Sequence, residues 1–463
     1  MPRCIHINVE LQLYAPKQAL RLCQFLKLSL ATRIIINTLN SSSITVNGKS
    51  DVYNTMRQKL LNVFVLGGVR LMSSRTKCSK ASSIINNEES ISSTSKLIYI
   101  VAPPIQEGQP ECITRGQAIV NALEKMHLAA KFRRSEIIQL QNFKTATRED
   151  IATVHDRGSV YLLEVLMAGL IKFLPQTARM KEKRASIPRD GIGSMYATSL
   201  TFEGALVNAG AGLSLVDYVV MSSKGNKNPP VGFALTRPEG NMVLPEMGMP
   251  HCMFCNIAIA ARYAQRVHGL RRVFIIDFDV YHGSGTCETF YDDPNVFYLS
   301  THHDGISPAK KKIDDIGCGN GEGATLNMPL PEGSGDIAMR TVFDQVIVPC
   351  AQRFKPDIIL VSAGYNGHVL DPLRKFQFTT GTYYMLASGI KQLAEDLCGG
   401  RCVFFLEGGC NLEALSNSVA ESFRAFIGDP SRAAELDDLG LLHDEPSFKV
   451  KQAIQKVKHL HSL

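Results

Sequence analysis

The sequence predicts an α/β domain in which a central parallel sheet carries helices on both faces. Strand, loop and helix patterns recur in that order along residues 231–427, an alternation typical of parallel sheets with crossover helices. The strand candidates are continuous apolar runs, as expected for strands buried on both faces. A composition of 45% hydrophobic and 20% charged residues indicates a globular protein with a sizeable core.

The elements follow from local patterns. The predicted strands are Leu97–Val101, Val231–Thr236, Val273–Ile276, Val296–Ser300, Asp357–Tyr365 and Cys402–Leu406. Small and apolar residues at helical spacing predict a buried helix over Tyr196–Tyr218, and further helices are expected over Ile257–Gln265, Ile337–Phe354, Phe378–Leu397 and Leu412–Phe426. Thr379 or Thr380 is the expected N-cap of its helix. Ile113–Lys125 and Ser135–Leu140 are assigned to helical and loop segments, and Gly317–Gly323 to a surface loop.

Charge and composition divide the chain into three parts. Residues 1–93 form a basic extension, because residues 1–87 contain twelve Lys or Arg but only two acids. We interpret it as a transit peptide for a plastid or mitochondrion. The alternative is a basic extension that stays on a protein of the cytoplasm or nucleus. Residues 94–430 form the folded domain and residues 431–463 a C-terminal tail, which is basic and expected to be helical from Pro446 onward.

Three function classes are disfavoured. The basic excess is confined to the N-terminal extension, so the domain is not expected to bind nucleic acid directly. No uninterrupted apolar run reaches about 18 residues, so no transmembrane segment is predicted. Twelve cysteines are scattered along the chain, several within apolar runs. That pattern suits a reducing compartment and argues against a disulfide framework.

The strand Val273–Ile276 ends in two acids, Asp277 and Asp279, followed by Tyr281-His282-Gly283-Ser-Gly285-Thr286. Acids at the end of a buried strand are costly unless they are paired or bind a cation. This stretch resembles the zinc-dependent histone deacetylase family, class II type, and most closely its organellar plant members, which read Asp-x-Asp-x-His-His-Gly-x-Gly-Thr. The resemblance covers about Lys96–Gly428 and implies the arginase/deacetylase fold.

The resemblance also implies which positions would carry the chemistry, and five of them are substituted here. The implied zinc ligands are Asp, His and Asp at positions 279, 281 and 366. Asp279 is retained, whereas Tyr281 and Asn366 replace the other two. Asn241 and Met242 stand at the positions of the catalytic histidine dyad, and Cys410 stands where the oxyanion-binding tyrosine is expected. His251 replaces a phenylalanine that lines the acyl-lysine tunnel.

The substituted residues are poorly suited to zinc-dependent amide hydrolysis. A tyrosine phenol, with an ordinary pKa of about 10, is a poor neutral-pH ligand, and Asn366 lacks the negative charge of an aspartate. Asn241 and Met242 cannot accept a proton from water, and Cys410 is a weak oxyanion donor. We therefore expect zinc to be absent or weakly bound.

Other groups keep a binding role open. The resemblance implies a monovalent cation, potassium, held by Asp277, Asp279 and Ser300. A rebuilt metal site could instead use His251, Cys252, Cys255 and Cys410, since Cys252 and Cys255 have a zinc-like spacing. His155 is expected to be structural.

The sequence therefore predicts a histone-deacetylase-like protein without catalysis, acting as a binding or regulatory relative of an active enzyme. The alternatives are an active deacetylase of acetyl-lysine or a small acetylated amine with a divergent site, and a degenerate gene product without a selected role. The sequence identifies no partner or oligomeric state.

Overall fold

The structure is a computed structural model of the 463-residue chain. It describes residues 95–102, 110–173, 185–187, 195–197, 201–226, 228–237, 239–245, 253–306 and 312–463. The predicted transit region therefore lies outside the described residues, as do His251 and Cys252.

A parallel sheet of eight strands forms the centre of the described part. Its strands are β1 (Leu97–Val101), β2 (Ile137–Gln139), β5 (Val231–Leu235), β6 (Val273–Asp277), β7 (Val296–Ser300), β8 (Thr325–Asn327), β9 (Ile358–Ala363) and β10 (Cys402–Leu406). Their order is β2-β1-β5-β10-β9-β6-β7-β8, and every pairing is parallel. The strands β3 (Ala185–Ile187) and β4 (Met195–Ala197) form a separate antiparallel pair.

Helices connect the strands. They are α1 (Pro110–Lys125), α2 (Arg148–Ile151), α3 (Arg157–Phe173), α4 (Thr201–Ser223), α5 (Asn256–His268), α6 (Ser284–Thr289), α7 (Asp336–Val342), α8 (Val348–Phe354), α9 (Thr380–Cys398), α10 (Leu412–Ile427), α11 (Ala433–Leu436) and α12 (Ser447–His461). A π-helical turn, Phe343–Ile347, joins α7 to α8. Thr379 caps α9 as predicted, since its side chain accepts a hydrogen bond from the Gly381 N–H.

Two hydrophobic cores form because the strand side chains alternate between the faces of the sheet. Along β6, Phe274 and Ile276 belong to one core, whereas Val273 and Ile275 belong to the other. All strand residues of β6 are buried. The continuous apolar runs in the sequence are explained by this double burial.

Three sequence expectations need correction. The helix expected from Tyr196 begins at Thr201, because Met195–Ala197 pairs with Ala185–Ile187 as a strand. The segment assigned to helix or loop after Ser135 contains the edge strand β2, whose three residues are too few for a clear periodic signal. The segment predicted as a tail after residue 430 packs into the domain, because Val450, Ile454 and Val457 of α12 join a core.

One described helix, α4, is long and apolar enough to cross a membrane by length and composition alone. Within the fold, 78% of its apolar window is buried. The contacts of α4 with α5, β5 and β10 account for this composition, because a helix covered by protein on most sides needs few polar residues.

Candidate functional site

Polar side chains collect where neighbouring strands end. The strands β5, β10, β9 and β6 are adjacent in the sheet, and all run in the same direction, so their carboxyl ends meet at one edge. This is where ligand sites lie in open parallel sheets. The residues delivered there include Asn241 after β5, Asp277 and Asp279 at β6, Asn366 after β9, and Glu407 and Cys410 after β10.

Asp279 is the centre of the hydrogen-bond network at this edge. Its side chain is only 3% exposed. Oδ1 accepts hydrogen bonds from the Tyr281 N–H at 2.9 Å and from Asn366 Nδ2 at 2.8 Å. Oδ2 accepts a hydrogen bond from the Gly408 N–H at 2.9 Å. Both carboxylate oxygens are therefore engaged by nitrogen donors.

The orientation of the Asn366 amide follows from its two partners. The Val280 N–H donates to Asn366 Oδ1 at 3.0 Å, while Nδ2 donates to Asp279. Turning the amide over would place a donor against the Val280 N–H and an oxygen against a carboxylate. The orientation with the NH₂ group toward Asp279 is thus the only one that satisfies both neighbours.

Two glycines allow the backbone to approach this network closely. A Cβ atom at Gly408 would lie 2.2 Å from Asn366 Nδ2 and 2.6 Å from Asp279 Oδ2. A Cβ atom at Gly364 would lie 2.2 Å from Asp279 Oδ2. Such distances are far below van der Waals contact, so only glycine fits at either position without displacing the network.

Asp277 lies deeper and has different partners. Its Oδ2 accepts hydrogen bonds from Asn241 Nδ2 and from the Tyr298 hydroxyl, each at 3.1 Å. Its Oδ1 accepts from the Asp279 N–H at 3.1 Å. Complete burial raises the pKa of Asp277 well above its ordinary value, and the negative charge of Asp279 adds to this effect. Burial raises the pKa of Asp279 to about 6.

The side chains at three of the substituted positions, Met242, Tyr281 and Cys410, are uncharged near neutral pH. Met242 and Tyr281 are half-buried, and Cys410 is exposed. Burial, followed by the charge of Asp279, raises the pKa of the Tyr281 phenol. Partial burial, followed by the charge of Asp371, raises the pKa of the Cys410 thiol. None of the three is therefore an anionic ligand or a base at pH 7.

A zinc ion of the kind the sequence resemblance implies does not fit these donors. Zinc needs three or four anionic or imidazole ligands at about 2.0–2.3 Å. Of the three implied positions only Asp279 supplies such a group, and Asn366 directs an N–H toward it. Within the described residues, no group of three or more His, Cys, Asp or Glu side chains could hold a metal ion.

The proposed rebuilt metal site is described only in part, since His251 and Cys252 lie outside the described residues. Cys255 is fully buried, its Sγ lies 3.3 Å from Thr286 Oγ1, and burial raises its pKa to about 12. A thiol with so high a pKa is a packing group at neutral pH. His155 has the expected structural role, because its Nε2 accepts a hydrogen bond from the Cys255 N–H at 2.9 Å.

The ends of β6 and β7 carry the oxygen donors for which the sequence resemblance implies a potassium ion. Asp277 and Ser300 are register neighbours across these strands, and oxygen donors are the ligands of hard cations. Ser300 Oγ lies 3.0 Å from His302 Nδ1. Asp277 is completely buried, and its side-chain oxygens accept hydrogen bonds from Asn241, Tyr298 and the Asp279 N–H.

Sequence reasoning missed two buried groups at this edge. Glu407 Oε2 accepts a hydrogen bond from the Gly240 N–H at 2.9 Å, and burial raises the pKa of Glu407 well above its ordinary value. Glu407 directly follows the predicted strand Cys402–Leu406, and this position could have indicated a site residue, just as the position after Val273–Ile276 indicated Asp277. Arg115 donates to the Glu407 backbone oxygen at 2.6 Å and to Glu239 Oε1 at 3.1 Å. No local pattern indicates that contact, because it spans 292 residues of sequence.

The all-parallel sheet, its helices and the acids at its carboxyl edge define an α/β protein of the arginase/deacetylase fold. The histone deacetylase domain matches residues 109–426. The chain therefore belongs to the histone deacetylase family.

Named relatives agree with this assignment. The chain is 57% identical over 376 residues to histone deacetylase 14, chloroplastic, of Arabidopsis thaliana, which covers 80% of this chain and 85% of that protein. It is 55% identical over 370 residues to histone deacetylase 10, chloroplastic, of Oryza sativa subsp. japonica, covering 79% and 81% respectively. The crystal structure of the HDA15 HD domain superposes with a TM-score of 0.63 at 26% identity, covering 80% of this chain and 94% of that one.

Proposed function

We propose that this member of the histone deacetylase family does not hydrolyse amides and acts as a binding or regulatory relative of an active enzyme. One observation carries the proposal: the two positions implied for the catalytic histidine dyad hold Asn241 and Met242, and neither side chain is a base. Asn241 uses its amide nitrogen on Asp277, and Met242 is a thioether that cannot take up a proton. Neither residue can therefore activate a water molecule.

The expected loss of rate is large. A positioned general base contributes about 10²–10⁴-fold to a hydrolysis rate, and one oxyanion donor about 10²–10³-fold. These factors are not additive, because catalytic groups act as a unit. Replacement of either group alone would nevertheless bring an enzyme close to background, and both are replaced at positions 242 and 410.

The second candidate is an active deacetylase of acetyl-lysine or a small acetylated amine. The names of the two plant relatives favour it, because both are called histone deacetylases. For this chain it requires proton transfer and activation of the substrate by groups other than those at the five substituted positions. Hydrolysis of an acetylated substrate by the unaltered protein would distinguish the two candidates.

We also propose that the protein functions in the plastid. Both plant relatives are named chloroplastic, and the basic, acid-poor residues 1–87 have the composition of a transit peptide. The names give no support to the mitochondrial alternative. Fusion of residues 1–93 to a fluorescent protein tests the location, and a nuclear or cytosolic signal would contradict it.

The proposed monovalent cation would bind at Asp277, Asp279 and Ser300 and would offset the charge of the buried acids. Its support is the oxygen-rich register pair of Asp277 and Ser300. Potassium should raise the thermal midpoint of unfolding relative to tetramethylammonium at equal ionic strength. Ser300→Ala should reduce that difference, whereas equal midpoints in the two salts would contradict the site.

Metal content and turnover, measured on the same preparation, test the main proposal. We expect less than about 0.1 zinc per chain and no release of acetate from an acetyl-lysine peptide, since two of the three ligand positions are lost. Tyr281→His alone should restore neither. The comparison variant carries the family residue at all five substituted positions: Asn241→His, Met242→His, Tyr281→His, Asn366→Asp and Cys410→Tyr. Turnover by the unaltered chain, abolished by a chelator, would refute the proposal.

A further inference from the structure

We propose that the Asn366 amide replaces a metal ion structurally, so that the fold of this chain is complete without zinc. The inference goes beyond the loss of catalysis, because it concerns what stabilises the centre of the domain. A carboxylate buried as deeply as Asp279 needs positive or hydrogen-bonding partners. In this chain nitrogen donors supply all of the partners seen for its two oxygens.

The network connects three adjacent strands. Asp279 follows β6, Asn366 follows β9, and Gly408 follows β10. The Asn366 side chain joins the first two of these segments, because its oxygen accepts from the Val280 N–H and its nitrogen donates to Asp279. The Gly408 N–H joins the third at 2.9 Å. One amide and one backbone N–H thus hold together the strand ends that a shared cation would otherwise hold.

The same geometry disfavours a zinc ion. A zinc ion bound to Asp279 would need to approach an oxygen to about 2.0–2.2 Å. The Asn366 NH₂ group lies 2.8 Å from Oδ1 and points its positive end at that oxygen. The Gly408 N–H does the same at Oδ2. A zinc ion would therefore have to displace these donors before it could bind.

Asn366→Asp tests the idea directly. The substitution replaces the donor with a second carboxylate oxygen close to Asp279, inside a buried site. Repulsion between buried like charges and the loss of a charge-assisted hydrogen bond should lower the thermal midpoint of the chelator-treated protein by about 5 °C or more. Asn366→Ala removes the donor without adding a charge, so its midpoint should lie between those of the wild type and Asn366→Asp.

Asn411→Asp is the matched control, since it makes the same chemical change at the same edge of the sheet. Asn411 Oδ1 caps α10 by accepting from the Ala414 N–H, and an aspartate keeps that bond, losing only the exposed 3.2 Å hydrogen bond from Asn411 Nδ2 to the Leu370 backbone oxygen. Its midpoint should change by only about 1 °C. A stable Asn366→Asp variant in the presence of chelator would overturn the proposal. If that variant does not fold, Asn366→Ala decides, and a midpoint equal to the wild type would overturn it.

Zinc itself provides the second measurement. Stoichiometric ZnCl₂ should leave the wild-type midpoint within about 1 °C of its value in chelator, because the donors already satisfy Asp279. The double variant Tyr281→His/Asn366→Asp restores ligands beside Asp279 and should gain stability with zinc. A wild-type gain above about 3 °C would overturn the inference. If the protein hydrolyses an acetylated substrate while its thermal midpoint is unchanged by zinc, the proposed function is refuted and the present inference stands.

Discussion

Gly408→Ala should be among the most destabilising single-methyl additions in this domain. The new Cβ would lie 2.2 Å from Asn366 Nδ2 and 2.6 Å from Asp279 Oδ2. Both neighbours are 3% exposed, so they have little room to move. Gly408 is not among the residues of positive φ, and backbone strain is therefore not part of the effect. The whole cost comes from crowding in the hydrogen-bond network.

The magnitude has two contributions. Overpacking a well-packed interior costs about 1–3 kcal/mol. Displacing Asp279 or Asn366 also weakens hydrogen bonds to a buried carboxylate, which are worth about 1.5–3 kcal/mol each. We therefore expect the free energy of unfolding to fall by about 3–5 kcal/mol.

Urea unfolding followed by circular dichroism measures the loss. Gly116→Ala is the matched control, because it adds the same methyl group within helix α1, where no atom beyond the adjacent residues and the local helix backbone lies within 4 Å of the new Cβ. That variant should be stabilised by about 0.4–1 kcal/mol, since alanine restricts the unfolded chain and favours helix. If the free energy of unfolding of Gly408→Ala lies within about 0.5 kcal/mol of the wild-type value, the crowding argument is refuted.

Two further predictions concern other parts of the domain. Burial lowers the pKa of His155 to about 4. Below about pH 6.5, His155 therefore binds a proton in the unfolded chain but not in the folded chain. About 3 kcal/mol of stability should be present above pH 6.5 and lost as the pH falls toward 4, and His155→Gln should remove that part of the pH dependence in urea unfolding. Ile454 of α12 is 2% exposed, so Ile454→Ala should lower the free energy of unfolding by about 2–5 kcal/mol. The exposed neighbour change Gln455→Ala should cost less than about 0.5 kcal/mol, and equal losses would contradict the packing of this helix.

Most of the sheet could be predicted from the chain because double burial leaves a strong local signal. The runs at Val231, Val273 and Val296 are largely apolar, every residue of the three strands is buried, and each strand ends within one residue of its expected end. The three-residue strand β2 carries too few positions to show a pattern. Its pairing with β1 depends on a partner some 40 residues away in sequence.

The sequence by itself determined the family and the order of its motifs. It also determined that Asp279, Tyr281 and Asn366 occupy the key positions and lie at one edge of a parallel sheet. These follow from residue order and from the rule that parallel strands end together. Only the tertiary structure decided that Asn366 turns its NH₂ group toward Asp279, that Gly408 supplies a third donor, and that Arg115 donates to the backbone oxygen of Glu407. The reason is that hydrogen-bond direction and close backbone approach depend on groups 87 to 292 residues apart, and no local pattern records their distances.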